Sequence, residues 1–408
     1  MTAIKQKISA LLLSIGILAP LATLQAQTTY QGLFGQGEIN TITTAVPFLM
    51  IAPDARAGAL GDAGVAGTPD AFSQHWNPAK YAFMKNRMGV SVSYSPWMKK
   101  LVDDIDLGYL SFYYKLNNDR DAISASLLFF SLGEIQFTND IGQDIGTFSP
   151  SEYAMDVAYS SKLAKHLSAS IAFRYIYSNL TGNRFVGGMQ SNAGQTVAGD
   201  LSAYYRLPLK VNGQNSFYSA GLNISNIGAK VSYTETVAKD FIPTNLRIGT
   251  AFETQLDDYN SIGILLDFNK LLVPTPPEYK YNDSTNMPEV DPQGNYIIAR
   301  GKSSDVGVVK GIFQSFGDAP DGFGEELREI SLSVGAEYWY DKQFAFRAGY
   351  FHEHVSKGNR KYFTLGVGLK LNVFGLDFSY LIPTGQRNPL ENTLRFSLQF
   401  DFESLGGK

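Results

Sequence analysis

The chain contains no cysteine. Disulfides, thiolate chemistry and lipid attachment through a cysteine are therefore excluded. Charge is sparse. Only 18% of residues are Asp, Glu, Lys or Arg, below the roughly 25% of ordinary soluble domains. The formal net charge of −4 gives no basic surface for nucleic acid. Beyond the amino-terminal leader, no apolar run approaches the roughly 20 residues of a membrane-spanning helix. What the 408 residues do contain is Gly (39), Phe (27) and Tyr (23) in abundance. Aromatics fit a pleated surface, so this mixture favours strands and turns.

Residues 1–26 read as a secretory signal. Lys5 and Lys7 form a positive start, "ISALLLSIGILA" forms a short apolar stretch, and cleavage is expected after Ala26. The mature protein is expected to be exported.

From Arg87 to Phe402 the chain alternates between apolar and polar residues. In "TLRFSLQFDF", Leu394, Phe396, Leu398, Phe400 and Phe402 share one face. Arg395, Ser397, Gln399 and Asp401 share the other. "EYAMDVAYSS", "ISLSVGAEYWY" and "VFGLDFSYLI" repeat the pattern. About fourteen such segments are counted, each near ten residues long. They begin near Arg87, Asp106, Asp121, Glu152, Leu167, Thr196, Asn215, Asn245, Ser261, Glu329, Gln343, Lys361, Val373 and Thr393.

The connections alternate too. The short ones are 117–120, 161–166, 207–214, 254–260, 340–342 and a break near Asn372. The others, mostly longer, are 95–105, 132–150, 179–195, 226–243, 270–328, 353–360 and 383–392. Short turns at one end and long loops at the other mark an outer-membrane barrel. The expected fold is all-β: a transmembrane antiparallel barrel of about fourteen strands. Its outward face meets lipid, and Trp97, Tyr113 and Trp339 near strand ends are expected to join interfacial girdles.

Residues 27–86 precede the first strand and lack alternation. Within them "GALGDAGVAG" places Gly58, Gly61, Gly64 and Gly67 at every third position. Collagen needs many such triplets with proline. A dinucleotide loop needs G-x-G-x-x-G after a strand, which is missing. Dense glycine lets backbone pack closely against another surface. The segment is read as a plug on the periplasmic side whose glycines press against the inner wall. Residues 403–408 form a short tail.

The run "PFLMIAPDARAGALGDAGVAGTPDAFSQHWNPAKYAF" (Pro47–Phe83) closely resembles the amino-terminal signature of the PorV family, and it includes Asn77 and Pro78. These are outer-membrane shuttle proteins of the type IX secretion system of Bacteroidetes, within the wider group of FadL-like barrels. "GIFQSFGDAPDGFGEELREI" (Gly311–Ile330) resembles a second segment of the family. The resemblance implies a fourteen-stranded barrel with an amino-terminal hatch and no catalytic residue or cofactor. It implies binding of secreted cargo through C-terminal signal domains, taken from the translocon barrel to a surface sortase complex.

"HEH" (His352, Glu353, His354) offers two imidazoles, but a metal needs three or four ligands, and only His75 and His166 remain. "DDID" (Asp103, Asp104, Asp106) reads either as a calcium grip or as a solvated loop. "GKS" (Gly301–Ser303) lacks the first glycine of a phosphate loop, since Tyr296 stands there. No G-x-S-x-G is present, so an enzyme acting on lipopolysaccharide has no motif behind it. Arg174, Arg206, Arg247 and Arg395 fall within strands and are expected in the lumen or at the rim, paired with acids such as Asp200 and Asp377. In the longest loop, Val308, Val309, Ile312, Phe313 and Phe316 sit at helical spacing. Ile312, Phe313 and Phe316 read either as a cap over the barrel's own mouth or as a docking patch for a protein partner. The rival function is a FadL-like channel for fatty acids or other hydrophobic small molecules, with its ligand in the lumen.

Overall fold

Fourteen strands pair in sequence order, and the last returns to the first, so the sheet has no free edge. The computed structural model describes residues 39–403, apart from 101, 139–140, 183, 187–188, 235–238, 283–284, 286 and 386–387. The leader, the start of the expected plug and residues 404–408 of the tail lie outside the described residues.

The strands are β1 (Met88–Pro96), β2 (Asp106–Lys115), β3 (Asp121–Ser131), β4 (Ser151–Ala164) and β5 (Leu167–Asn179). Next come β6 (Gly194–Val211), β7 (Gln214–Gly228), β8 (Asn245–Gln255) and β9 (Asn260–Leu271). The remainder are β10 (Ser331–Tyr340), β11 (Phe344–His352), β12 (Lys361–Leu371), β13 (Phe374–Pro383) and β14 (Leu394–Phe402). Closure runs antiparallel from Met88↔Phe402 to Tyr94↔Phe396. No described helix is long and apolar enough to cross a membrane.

Every strand start lies within two residues of its sequence expectation, and the loop parity holds. The even-numbered turns run two to five residues, and three of them, 165–166, 212–213 and 256–259, are shorter than expected. The segment 207–214 is strand rather than loop up to Val211, and β4 continues through Ala164. The turn between β6 and β7 is Asn212–Gly213, both with positive φ (52° and 80°). That geometry suits a right-twisted two-residue hairpin, so the strands run on to the turn itself.

Alternation sorts the side chains. Val157, Ile171, Phe173, Ile264 and Phe346 face outward and are exposed, as a lipid-facing band requires. Asp156, Arg174, Asp200, Asp267, Glu337, Arg347 and Asp377 face inward and are buried. The three proposed girdle aromatics do not join the outward set. Tyr113 is fully buried, and its hydroxyl donates to Asp401 at 3.0 Å. Trp339 lies under Arg347, and Trp97 packs on an apolar cluster near the long loops. Nearness to a strand end sets depth, whereas the period of two sets the face.

Inside the wall runs the chain from Asn40 to Arg87. Its start meets the long loops: Asn40 N donates to Ser356 O, and Ala45 N donates to Phe241 O. Phe48 then stacks on Phe130, and Leu49, Phe72 and Ile176 join the same apolar cluster. Its end meets the short turns, where Lys162 lies over Phe83 and Tyr81 stacks on Tyr113.

The outward band has a direct consequence. Phe173→Arg, near the middle of β5, is expected to cost ~2–4 kcal/mol. The measurement is the temperature at which the purified barrel loses its folded, fast-migrating gel form.

Candidate functional site

The lumenal segment is seated by backbone as much as by side chains. Asp54 caps the turn Ala55–Gly58 by accepting from Ala57 N at 2.8 Å, and it also accepts from Trp76 Nε1 at 2.5 Å. Ala55 N donates to Ser397 Oγ on β14. Gly61 has φ +67°, and a Cβ there would lie 2.6 Å from the Tyr350 carbonyl oxygen. Both facts select glycine.

The wall answers with glycines of its own. Gly221 pairs across the ladder with Gly249, and Gly335 with Gly349. A Cβ on any of these four would strike Leu60, Gly61 or Val65. Asp267 on β9 lies beside this lane and accepts from Gly64 N (2.7 Å) and Val65 N (2.9 Å). Gly58 meets the Arg395 side chain, Gly61 the Tyr350 backbone and Gly67 Leu265, all on the wall, whereas Gly64 meets not the wall but the Trp76 ring of the lumenal segment itself. Asn77 Nδ2 donates to Val65 O and Ala203 O, and its Oδ1 accepts from Ala79 N. Pro78 opens the turn that follows, and its carbonyl accepts from Ser160 Oγ.

Charges lock the rest. Arg56 bridges Asp70 (2.7 Å) and Glu337 (2.9 Å), and Arg347 joins Glu337 to Asp377. Of the four strand arginines, Arg174 pairs with Asp156 and Asp200. Arg206 pairs with Glu253, Arg247 bonds Asn269 and lies over Trp76, and Arg395 reaches Asp62 at 3.8 Å. Asp377 takes Arg347 as its partner, a residue the strand pattern did not single out.

The long loop between β9 and β10 carries helices Val308–Gln314 and Phe323–Arg328. It is pinned by ions. Lys270 pairs with Glu326 (2.9 Å) and Glu329 (2.5 Å), and Lys357 pairs with Glu325 and Glu329. Asn40 Nδ2 also donates to Glu325. The first helix seats its Gly311 side, against Phe241. Its apolar side is turned away: Phe313 is 75% exposed, Phe316 54% and Val309 68%, while Ile312 is half-buried. Phe323 and Leu327 of the second helix extend the exposed set. The expected helix forms over Val308, Val309, Ile312 and Phe313 but ends at Gln314, before Phe316, and its apolar side is not the seated one.

Burial pushes the Asp318 carboxyl up to about 6, with Glu326 and Glu329 adding to the shift. Its Oδ2 accepts from Thr275 N and Gln314 Nε2, and Lys270 faces the same two glutamates.

The remaining motifs are absorbed locally. His354 Nδ1 bonds Ser356 Oγ, Glu353 pairs with Arg360, and His352 meets Tyr350. Asp104 accepts from Glu134 N, Asp106 from Tyr94 Oη, and Lys302 donates to Gly317 O. No group of three or more metal-ligating side chains occurs among the described residues.

Two outcomes follow. Asp267→Ala leaves two buried N–H groups without an acceptor, at ~1–3 kcal/mol each. It is expected to lower the folded barrel's melting temperature, and Asp267→Asn to recover part of the loss. A carboxyl with a raised pKa is best tolerated protonated, so loop seating weakens as pH rises through about 6. Asp318→Asn is expected to abolish that increase in loop cleavage by protease between pH values below and above it.

The sequence from residue 34 to 278 matches the family model "Type IX secretion system protein PorV". The second resembling segment, Gly311–Ile330, lies beyond that match. No curated protein matches the chain. Solved structures similar to it include the CymD monoaromatic hydrocarbon channel, with 12% identity, 87% of this chain and 99% of that one covered, and a TM-score of 0.47. The toluene transporter TodX of Pseudomonas putida shares 12% identity over 90% of this chain and 100% of its own, with a TM-score of 0.47. A FadL homologue of Pseudomonas aeruginosa shares 11% over 89% and 99%, with a TM-score of 0.41. The match spans more than half of the sequence, and the chain belongs to the PorV family of type IX secretion proteins.

Proposed function

We propose that this barrel sits in the outer membrane and captures secreted type IX cargo on its long-loop face. It receives the cargo's C-terminal signal domain from the translocon barrel and hands it to the surface sortase complex. No chemistry is involved; the work is binding and release.

One observation carries the reading. Phe313, Phe316 and Phe323 are exposed on a loop whose base is held by buried ion pairs. Exposed apolar side chains on a pinned support suit protein docking, because little ordering entropy remains to be lost. Family membership supports the secretion role. The lumenal segment serves as the plug: its ionic and glycine contacts reach across to opposite walls, so cargo is held outside the barrel and not passed through it.

The test is paired substitution. Phe313→Asp with Phe316→Asp is expected to leave the barrel folded and to weaken cargo capture by roughly 5- to 30-fold per side chain removed. The readout is recovery of secreted proteins with the tagged barrel from outer membranes. Unchanged recovery removes the loop from the account. Loss of hydrophobic solute uptake in a deletion strain, with surface proteins intact, would assign the barrel to small-molecule transport instead.

A further inference from the structure

A concave site lies at the opposite end of the barrel from the long loops. A cavity of about 660 Å³ is roofed by Arg56, Thr68 and Asp70 of the lumenal segment, and residues of the short turns line its mouth. That volume is within the ordinary range of a ligand site.

Its charge is unbalanced. Seven Lys or Arg side chains line it against five Asp or Glu, although the chain as a whole is negative. Every one of the five acids already has a basic partner. Asp70 pairs with Arg56, Glu337 with Arg56 and Arg347, and Asp377 with Arg347. Glu253 pairs with Arg206, and Asp401 with Lys370. Among the lining residues the excess lies at the mouth; Asp257, Asp258 and Asp341 stand in the same short turns but do not line the cavity. Lys85, Lys165 and Lys342 are exposed and have no ion-pair partner among the described residues. A cleft with low-dielectric walls concentrates such a field. Between the charges stand apolar surfaces: Phe83, Trp339, Leu369 and the Phe217 ring beneath Arg206.

We propose that this vestibule receives an acidic segment of a partner protein, its carboxylates on the three lysines and its apolar side chains on the aromatic floor. The geometry favours a peptide over a lipid. Lys85 precedes β1, Lys165 turns between β4 and β5, and Lys342 turns between β10 and β11. Three cations spread around a mouth match several carboxylates along a chain, whereas an acyl anion carries one. The inference goes beyond cargo capture and is independent of the loop patch, so either can fail alone.

The experiment uses the full-length barrel in neutral detergent. A fluorescein-labelled peptide of glutamates interspersed with leucine and phenylalanine is titrated by anisotropy at low and high salt. A lysine-bearing counterpart and laurate are the comparators. The acidic peptide is expected to bind, to weaken with salt, and to lose roughly tenfold in affinity when Lys85→Glu, Lys165→Glu and Lys342→Glu are combined. All three side chains are exposed, so the variant is expected to keep its folded gel mobility. Equal binding to both barrels, or no binding of the acidic peptide, overturns the proposal. Lysine-dependent binding of laurate without the peptide also overturns it, and assigns the vestibule to an anionic amphiphile.

Discussion

Hydrocarbon offers a peptide group no hydrogen-bond partner, and a single unpaired strand edge in it costs several kcal/mol per group. The ladder from Met88↔Phe402 to Tyr94↔Phe396 meets that constraint. Closure makes an inside and an outside from one sheet. The alternation of each strand then assigns every residue to lipid or to lumen. The outward Ile171 and Phe173 and the inward Ser170 and Arg174 are neighbours in sequence and opposites in environment.

The lumen inherits a second problem. Its wall carries Asp156, Asp200, Asp267, Glu337, Arg347 and Asp377, all buried. A buried charge without a partner is far costlier than one that is paired and hydrogen-bonded. The wall answers part of this itself, through Arg174 and Arg347. The lumenal segment supplies the rest, as Arg56 to Glu337 and as the N–H groups of Gly64 and Val65 to Asp267. Such pairs act chiefly on register. A segment shifted by one residue would break the ion pair, the two amide bonds and the glycine contacts together. The glycine lane therefore has a physical reason: a Cβ at Gly221, Gly249, Gly335 or Gly349 would push away the segment that brings the N–H groups of Gly64 and Val65 to Asp267.

The two ends of the barrel are built differently. At the long-loop end, Lys270, Lys357, Glu325, Glu326 and Glu329 bind the base of the longest loop into one cluster, and aromatic side chains are left outside it. At the short-turn end the loops are too short to fold over the opening, and a basic vestibule remains. One face offers apolar contact and the other offers charge, so the two suit partners of different chemistry.

Strand count, strand starts and loop parity were legible in the amino-acid order, because a membrane barrel writes a period of two and an alternation of connection lengths directly into it; the ends of β4 and β6 were not, since the strands run on to their two-residue turns. The glycine run was legible as a close-packing segment, and the in-strand arginines as lumenal. The alternation of β10 already put Trp339 on the face opposite Leu332, Val334 and Tyr338; the girdle expectation failed because it used depth and ignored face. The order of residues could not say that Gly221, Gly249, Gly335 and Gly349 form the counter-surface, because those residues meet only when β7, β8, β10 and β11 curve around one segment. Spacing alone predicted a short helix through Val308, Val309, Ile312, Phe313 and Phe316; that it ends at Gln314, and which side it seats against Phe241 some seventy residues earlier, came from the fold. Local periodicity is a property of consecutive residues and survives in the sequence. Facing surfaces are made by closure, and only the tertiary structure decides them.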